Sequence, residues 1–237
     1  VGDDSYLMAQ RLGEEKPFVG PLLQFVWQPE VKRYVKKGLF PLPDGIDIYG
    51  FTLGDLNGNK VAEIIRLAEK GTVQVFDSRS GAYLGGSEGG PYGRYVHIRF
   101  EQFNRKDMEI MLSRAEAYGE ASIRVIPGEV KAVGLGDRGR GVVVAENLGG
   151  FLTKYRAPET TFPDESRLVF LAWKAGGLTP ICQTRQLDRY TADFEFADLN
   201  GDGEPEIILL TLEPRYRVLG GYSGDVWVDV LYPGACR

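Results

Sequence analysis

The sequence predicts an all-β protein, specifically a β-propeller of about five four-stranded blades, with a range of about four to seven. Three observations lead to this prediction. Short alternating apolar segments are separated by Gly, Pro, Asn and Asp, two acidic loops are nearly identical, and the repeat period is about 48 residues, close to one blade. The loops begin at Asp55 and Asp198, about 143 residues or three such periods apart.

One domain spanning residues 1–237 is expected, divided into approximate blades 1–45, 46–90, 91–128, 129–188 and 189–237. Two blades carry a full set of four predicted strands, because four alternating segments follow one another between turn residues. These strands are 48–53, 63–67, 72–76 and 82–84 in the second blade, and 129–134, 141–146, 168–173 and 180–184 in the fourth.

The other three blades are incomplete. Their predicted strands are 6–11, 22–27 and 31–36; 95–103 and 108–112; and 192–197, 206–212 and 225–231. The first blade lacks its first strand and the last blade lacks its fourth. Because an open ring would expose edge strands, closure by strands from both termini is expected.

The acidic loops have the spacing of a cation site. Oxygen-bearing side chains stand at loop positions 1, 3, 5 and 9, and the peptide carbonyl at position 7 adds a ligand. The predicted ligand residues are Asp55, Asn57, Asn59, Val61 and Glu63 in one loop, and Asp198, Asn200, Asp202, Glu204 and Glu206 in the other. These are hard oxygen ligands, and calcium is the natural ion. The alternative is an Asx-rich turn that needs no metal.

The two loops are not equivalent. The Asp198 loop has three carboxylates at the side-chain ligand positions and the Asp55 loop has two, so the Asp198 loop is expected to bind calcium more tightly. Lys60 also replaces the glycine that makes position 6 a sharp turn, whereas Gly203 retains it. An EF-hand is excluded because position 12 is Arg66 or Leu209 and not a bidentate Glu.

Composition excludes several functional classes. Hydrophobic residues make up 43% of the chain and charged residues 26%, which is typical of a folded protein. The net charge of −5 gives no reason to bind nucleic acid, and no apolar run reaches the roughly 20 residues that span a membrane. Cys182 and Cys236 are compatible with a disulfide or with two separate thiols. Val1 is not an initiator methionine, so a processed or engineered N-terminus is expected.

Catalytic signatures are missing from the sequence. His97 is the single histidine and lies in an alternating strand-like segment, and no Gly-x-Ser-x-Gly motif is present. One histidine and two scattered cysteines do not supply a usual zinc ligand set. We therefore expect a protein that is not an enzyme.

The segments Asp55-Leu-Asn-Gly-Asn59…Glu63-Ile-Ile and Asp198-Leu-Asn-Gly-Asp-Gly203…Glu206-Ile-Ile resemble FG-GAP/VCBS repeats, the calcium-loop blades of integrin-type propellers. Only the second segment follows the family pattern in full. Residues 49–55 and 228–233 are further similar to bacterial VCBS-repeat proteins of unassigned function. The resemblance implies a binding or assembly module in the periplasm, at the cell surface or outside the cell, and implies no reaction.

Three functional hypotheses follow. The first is a non-enzymatic, calcium-binding propeller that presents a loop face to a protein or glycan partner. The second is a propeller-type polysaccharide hydrolase or lyase whose acids meet only in the fold. The third is a structural subunit whose terminal strands join neighbouring copies into a homo-oligomer.

Overall fold

A computed structural model describes residues 6–12, 18–43, 45–68, 71–90, 92–93, 96–100, 122–126, 129–148, 165–217 and 221–231. Within these residues the protein is built from sixteen β-strands and one short 3₁₀ turn, and the predicted all-β class is confirmed. The strands are β1 (Tyr6–Leu12), β2 (Phe18–Gln28), β3 (Arg33–Phe40), β4 (Phe51–Gly54), β5 (Glu63–Leu67), β6 (Val73–Phe76), β7 (Tyr83–Ser87), β8 (Val96–Phe100), β9 (Ser122–Ile126), β10 (Val130–Gly134), β11 (Arg140–Leu148), β12 (Glu165–Lys174), β13 (Gly177–Gln183), β14 (Tyr190–Ala197), β15 (Glu206–Arg217) and β16 (Gly221–Leu231). The 3₁₀ turn, Gly136–Arg138, joins β10 to β11.

The strands predicted for the second and fourth blades are present as two antiparallel four-stranded meanders. Strands β4 to β7 pair in sequence order, and so do β10 to β13. In those strands of the meanders that have one exposed face, the alternation of apolar and polar residues accounts for the strand. In β11, by contrast, the run Val142, Val143, Val144 and Ala145 is buried on both faces.

The meanders are joined edge to edge and not held apart as separate blades. Strand β13 pairs in parallel with β7 through Gly177 opposite Gly86 and Leu178 opposite Ser87, which gives one eight-stranded mixed sheet. Its two end strands, β10 and β4, lie side by side without a hydrogen-bonded ladder. The sheet is therefore nearly closed into a barrel. A propeller, its blade number and closure of a ring by the two termini are not shown.

Gly54 marks the seam between β4 and β10. A Cβ atom at this position would collide with the Cβ of Ala132 in β10, so only glycine allows the two strands to approach this closely. The close approach of the two strands at the seam therefore depends on the absence of a side chain at Gly54.

Two apolar clusters organise the core. The first fills the barrel with buried side chains from β5, β6 and β10 to β13, including Ile65, Val75, Val144 and Leu171. The second lies between the barrel's outer face and an antiparallel sheet of β14, β15 and β16, and includes Val143, Leu168, Phe194, Leu209 and Leu231. The last three predicted strands are thus confirmed as strands, packed on the barrel.

Strands β1, β2 and β3 form a separate antiparallel sheet. They correspond to the predicted strands 6–11, 22–27 and 31–36, although the third strand starts later, at Arg33. The ring of Phe40 stacks on Phe51 of β4 at a centroid distance of 6.1 Å. A cavity of about 510 Å³ lies between this sheet and residues 42–43 and 45–47, lined by Gln10, Phe18, Leu22, Phe40, Leu42 and Ile46 among others.

The predicted third blade is only partly described. Residues 96–100 form β8 within the predicted strand 95–103, and β8 pairs with β9, a strand that was not predicted from the sequence. The predicted strand 108–112 lies outside the described residues.

Candidate functional site

The two acidic loops occupy equivalent places in the fold. Residues 55–62 connect β4 to β5, and residues 198–205 connect β14 to β15. In each hairpin the Glu at position 9 begins the second strand, opposite the residue before the first Asp: Glu63 pairs with Gly54, and Glu206 pairs with Ala197. Sequence similarity and strand register therefore agree.

The first Asp of each loop gathers three backbone amides. Asp198 Oδ1 accepts hydrogen bonds from the amides of Gly201 at 2.7 Å and Asp202 at 3.2 Å, and its Oδ2 accepts one from Gly203 at 2.9 Å. The same three bonds reach Asp55, from Gly58 at 2.7 Å, Asn59 at 3.1 Å and Lys60 at 2.9 Å. This is the hydrogen bonding of an Asx turn, which the side chain stabilises without help from an ion.

The Glu at position 9 closes each loop from below. Glu206 is 1% exposed; its Oε2 accepts from the amide of Leu199 at 2.8 Å and its Oε1 from Asn200 Nδ2 at 2.7 Å. Glu63, 3% exposed, repeats both bonds with Leu56 and Asn57 at 2.7 Å. Burying a carboxylate is costly unless hydrogen bonds or charge compensate it, so each Glu ties its loop to the strand beneath.

Positions 5 and 7 lie on the exposed side of the loops. Asp202 Oδ1 accepts from the amide of Glu204 at 2.8 Å, and Asp202 Oδ2 accepts from Asn200 Nδ2 at 3.0 Å. In the other loop Asn59 Oδ1 accepts from the amide of Val61 at 2.8 Å. All ten predicted residues are therefore brought into two compact loops, five in each.

Arg140 distinguishes the two loops. Its Nη1 lies 2.6 Å from Asp55 Oδ2 and donates to the carbonyl oxygen of Asp55 at 2.8 Å, reaching the loop from the start of β11. Desolvation acts to raise the pKa of Asp55, but the amides of Lys60 and Gly58 and the charge of Arg140 outweigh it, so the pKa is lowered. Among the described residues, no cation lies within ion-pair distance of Asp198. This contact was not predicted from the sequence, because the partners are 85 residues apart.

Lys60 and Trp173 also mark the Asp55 loop. Lys60 adopts a φ of +64°, in the left-handed region where the equivalent Gly203 has a φ of +88°. The expectation that position 6 needs a sharp turn is confirmed. Trp173 Nε1 donates to Asn57 Oδ1 at 2.9 Å, which fixes the loop to β12. This loop is held by the barrel on two sides.

The donor chemistry of the Asp198 loop suits calcium. Three carboxylates, an amide oxygen and a peptide carbonyl within nine residues are the hard ligands that calcium takes, and Asp198, Asn200, Asp202, Glu204 and Glu206 would hold it. In the Asp55 loop the guanidinium of Arg140 already neutralises the first carboxylate. Over the part of the chain that is described, no three His, Cys, Asp or Glu side chains are already grouped as a metal cluster.

Other features bear on the remaining expectations. His97 lies in β8 opposite Val125, as expected of a strand residue. Cys182 of β13 is disulfide-bonded, and the other cysteine of the sequence is Cys236. Across the described segments, no helix is long and apolar enough to cross a membrane.

Comparison with protein-family models, with curated proteins and with solved structures finds no match to this chain.

Proposed function

We propose that the chain is a non-enzymatic, calcium-binding β-protein that serves as a protein- or glycan-binding and assembly module. The ion belongs to the Asp198 loop, where it offsets the repulsion of three carboxylates and strengthens the turn between β14 and β15. In the same proposal the two meanders are blade-like repeat units, as in FG-GAP/VCBS proteins, joined here at one edge.

One observation carries this proposal: two loops share the hydrogen bonds of their first Asp and of their Glu at position 9 but differ in their counter-charge. Asp55 has a guanidinium 2.6 Å away, whereas the Asp198 loop has one more carboxylate at its ligand positions and, in the described residues, no ion-pair partner for Asp198. A cation is the natural complement to such a set. The proposal therefore assigns one calcium to the Asp198 loop and none to the Asp55 loop.

Calorimetric titration of calcium into chelator-treated protein tests the assignment. We expect one saturable site that also raises the thermal unfolding midpoint. Asp198→Asn is the sharpest control, because it removes a charge but keeps an oxygen that can accept from Gly201 and Asp202. Loss of binding in this variant is expected, and a wild-type protein without heat or thermal shift would overturn the proposal.

Arg140→Gln provides the matched gain-of-binding test. It removes the guanidinium from Asp55 while leaving the three amide hydrogen bonds of that loop in place. A second, weaker calcium site is expected in this variant. An unchanged stoichiometry of one would show that Arg140 is not what keeps calcium from the Asp55 loop.

The proposed location is the periplasm, the cell surface or the exterior. The disulfide at Cys182 supports it, because disulfides persist in oxidising compartments. Labelling of thiols in protein taken directly from its native compartment, with and without prior reduction, is the test. Quantitative labelling of Cys182 without reductant would contradict this location.

A further inference from the structure

The C-terminal sheet presents an apolar face to solvent. Cross-strand partners share a face, and Leu210 pairs with Val228 while Ile208 pairs with Val230. Val226 and Val228 are 64% and 68% exposed, and Leu210 and Val230 are also exposed. We call these five residues the aliphatic face. It is opposite to the face that packs on the barrel through Leu209 and Leu231, since successive strand residues alternate.

The N-terminal sheet presents a second apolar face. Trp27 of β2 pairs with Tyr34 of β3, and their rings meet edge-on at 5.2 Å. Leu7 of β1 and Leu39 of β3 belong to the same side, because they pair with Phe25 and Leu23 of β2. We call Leu7, Trp27, Tyr34 and Leu39 the aromatic face, and their exposed fractions lie between 46% and 56%. Two contiguous apolar faces exceed the scattered exposed side chains that are normal for a monomer.

The two sheets carry opposite charge. Residues 18–40 contain four basic residues and one acidic residue, whereas residues 190–231 contain nine acidic and two basic residues. Charged residues also lie beside the two faces. Lys36 pairs with Phe25 beside the aromatic face, and Asp193 pairs with Leu210 beside the aliphatic face. Each sheet would repel its own copy and attract the other sheet.

We propose that the aliphatic face of one copy docks on the aromatic face of a second copy, in a head-to-tail association. Two antiparallel sheets pack face to face in this way in β-sandwiches. The contact joins different surfaces, so a dimer retains one unused aromatic face and one unused aliphatic face, and the association extends beyond a dimer. This inference rests on the proposed role as an assembly module and names a second copy as the partner, but it does not require calcium.

Sedimentation velocity over a range of protein concentrations, at low and high salt, is the first test. We expect species larger than a dimer to grow with concentration and to diminish at high salt, because the charge attraction is screened. A monomer at every concentration and salt would overturn the proposal. A dimer that never grows further would also overturn it, since it would show a closed interface.

Single-face variants test the pairing directly. Val228→Lys places a positive charge on the aliphatic face, which should then repel the basic sheet that carries the aromatic face. Leu39→Glu places a negative charge on the aromatic face, which should then repel the acidic sheet that carries the aliphatic face. Each alone should associate about tenfold or more weakly than wild type. A mixture of the two should associate again, because one intact aromatic face and one intact aliphatic face remain and the two altered faces carry opposite charges. Failure of the mixture to dimerise would overturn the head-to-tail arrangement.

Tyr83→Lys on β7 is the matched control, since Tyr83 is similarly exposed and lies in neither face. It should associate like wild type, and an equal loss would attribute the effect to net charge alone. Thermal unfolding midpoints confirm that each variant is folded. Calcium titration and sedimentation of two variants separate the two proposals: Val228→Lys should bind calcium without self-association, and Asp198→Asn should self-associate without binding calcium.

Discussion

Lys60 stores backbone strain at the sixth position of its loop. Its φ of +64° is rarely adopted by a residue with a side chain, whereas Gly203 holds φ +88° in the equivalent place at little cost. Lys60→Gly is expected to raise the free energy of unfolding by about 1 kcal/mol, measured by urea denaturation. Gly203→Lys should lower it by a similar amount. The two substitutions must change the free energy of unfolding in opposite directions, and a loss of stability in Lys60→Gly would contradict the argument.

Asp55 makes the stability of its loop depend on pH. Its pKa is lowered despite desolvation, by the amides of Lys60, Gly58 and Asn59 and by Arg140, so its contribution is present above the ordinary carboxyl pKa and lost as pH falls through the lowered value. The substitution Arg140→Gln removes the part of this pKa lowering that comes from the guanidinium charge. We expect the variant to lose thermal stability at higher pH than wild type, and the difference to vanish once Asp55 is protonated in both.

Thermal midpoints from neutral pH to about pH 2 would measure the effect. Arg138→Gln is the control, because it removes the same charge at an exposed position two residues earlier. Identical acid profiles for the two variants would show that the charge on Asp55 is not coupled to Arg140.

At the scale of strands, the seam of the barrel depends on the size of one side chain. Gly54→Ala should destabilise the fold, because the new methyl group meets the Cβ of Ala132. Ala132→Gly should recover part of the loss in the double variant, giving a coupling energy on the order of 1 kcal/mol in a denaturation cycle. Additive effects of the two substitutions would mean that β4 and β10 do not meet at this point.

Strand β15 separates a core face from an outer face within two residues. Leu209 is 0% exposed in the cluster beneath the sheet, and Leu210 is 38% exposed on the aliphatic face. Leu209→Ala is expected to cost about 2–5 kcal/mol of unfolding free energy and Leu210→Ala less than about 1 kcal/mol. Guanidinium denaturation of the monomer measures both, and similar losses would contradict the observed register.

For the whole molecule, the disulfide at Cys182 adds stability that reductant should remove. Cys182 lies in β13, the strand that joins the two meanders through Gly177 and Leu178. Removing a disulfide typically costs about 2–4 kcal/mol, so a lower thermal midpoint under reducing conditions is expected. Cys182→Ser should show that lower midpoint with and without reductant. A variant that remained sensitive to reductant would contradict this explanation.

The sequence predicted what is local and missed what is distant. Alternating residues such as Val73 and Val75 and the turns between strands locate the strands of both meanders, and the spacing of Asp198 to Glu206 places the loop residues together. The parallel join of Gly177 with Gly86 leaves no such pattern, because glycines carry no side chain whose periodicity could signal pairing. The contact of Arg140 was not predicted for a related reason: an exposed arginine at the start of a strand has no signature of the carboxylate it meets 85 residues away.

The parallel join also has a consequence for the order of folding. Each meander contains mainly contacts between neighbouring strands, which form with little loss of chain entropy, whereas β7 and β13 are about 90 residues apart in sequence. We therefore expect the two halves to form early and to meet late. On this expectation the pairing of β7 with β13, and not the formation of any hairpin, limits the rate at which the chain reaches its native topology.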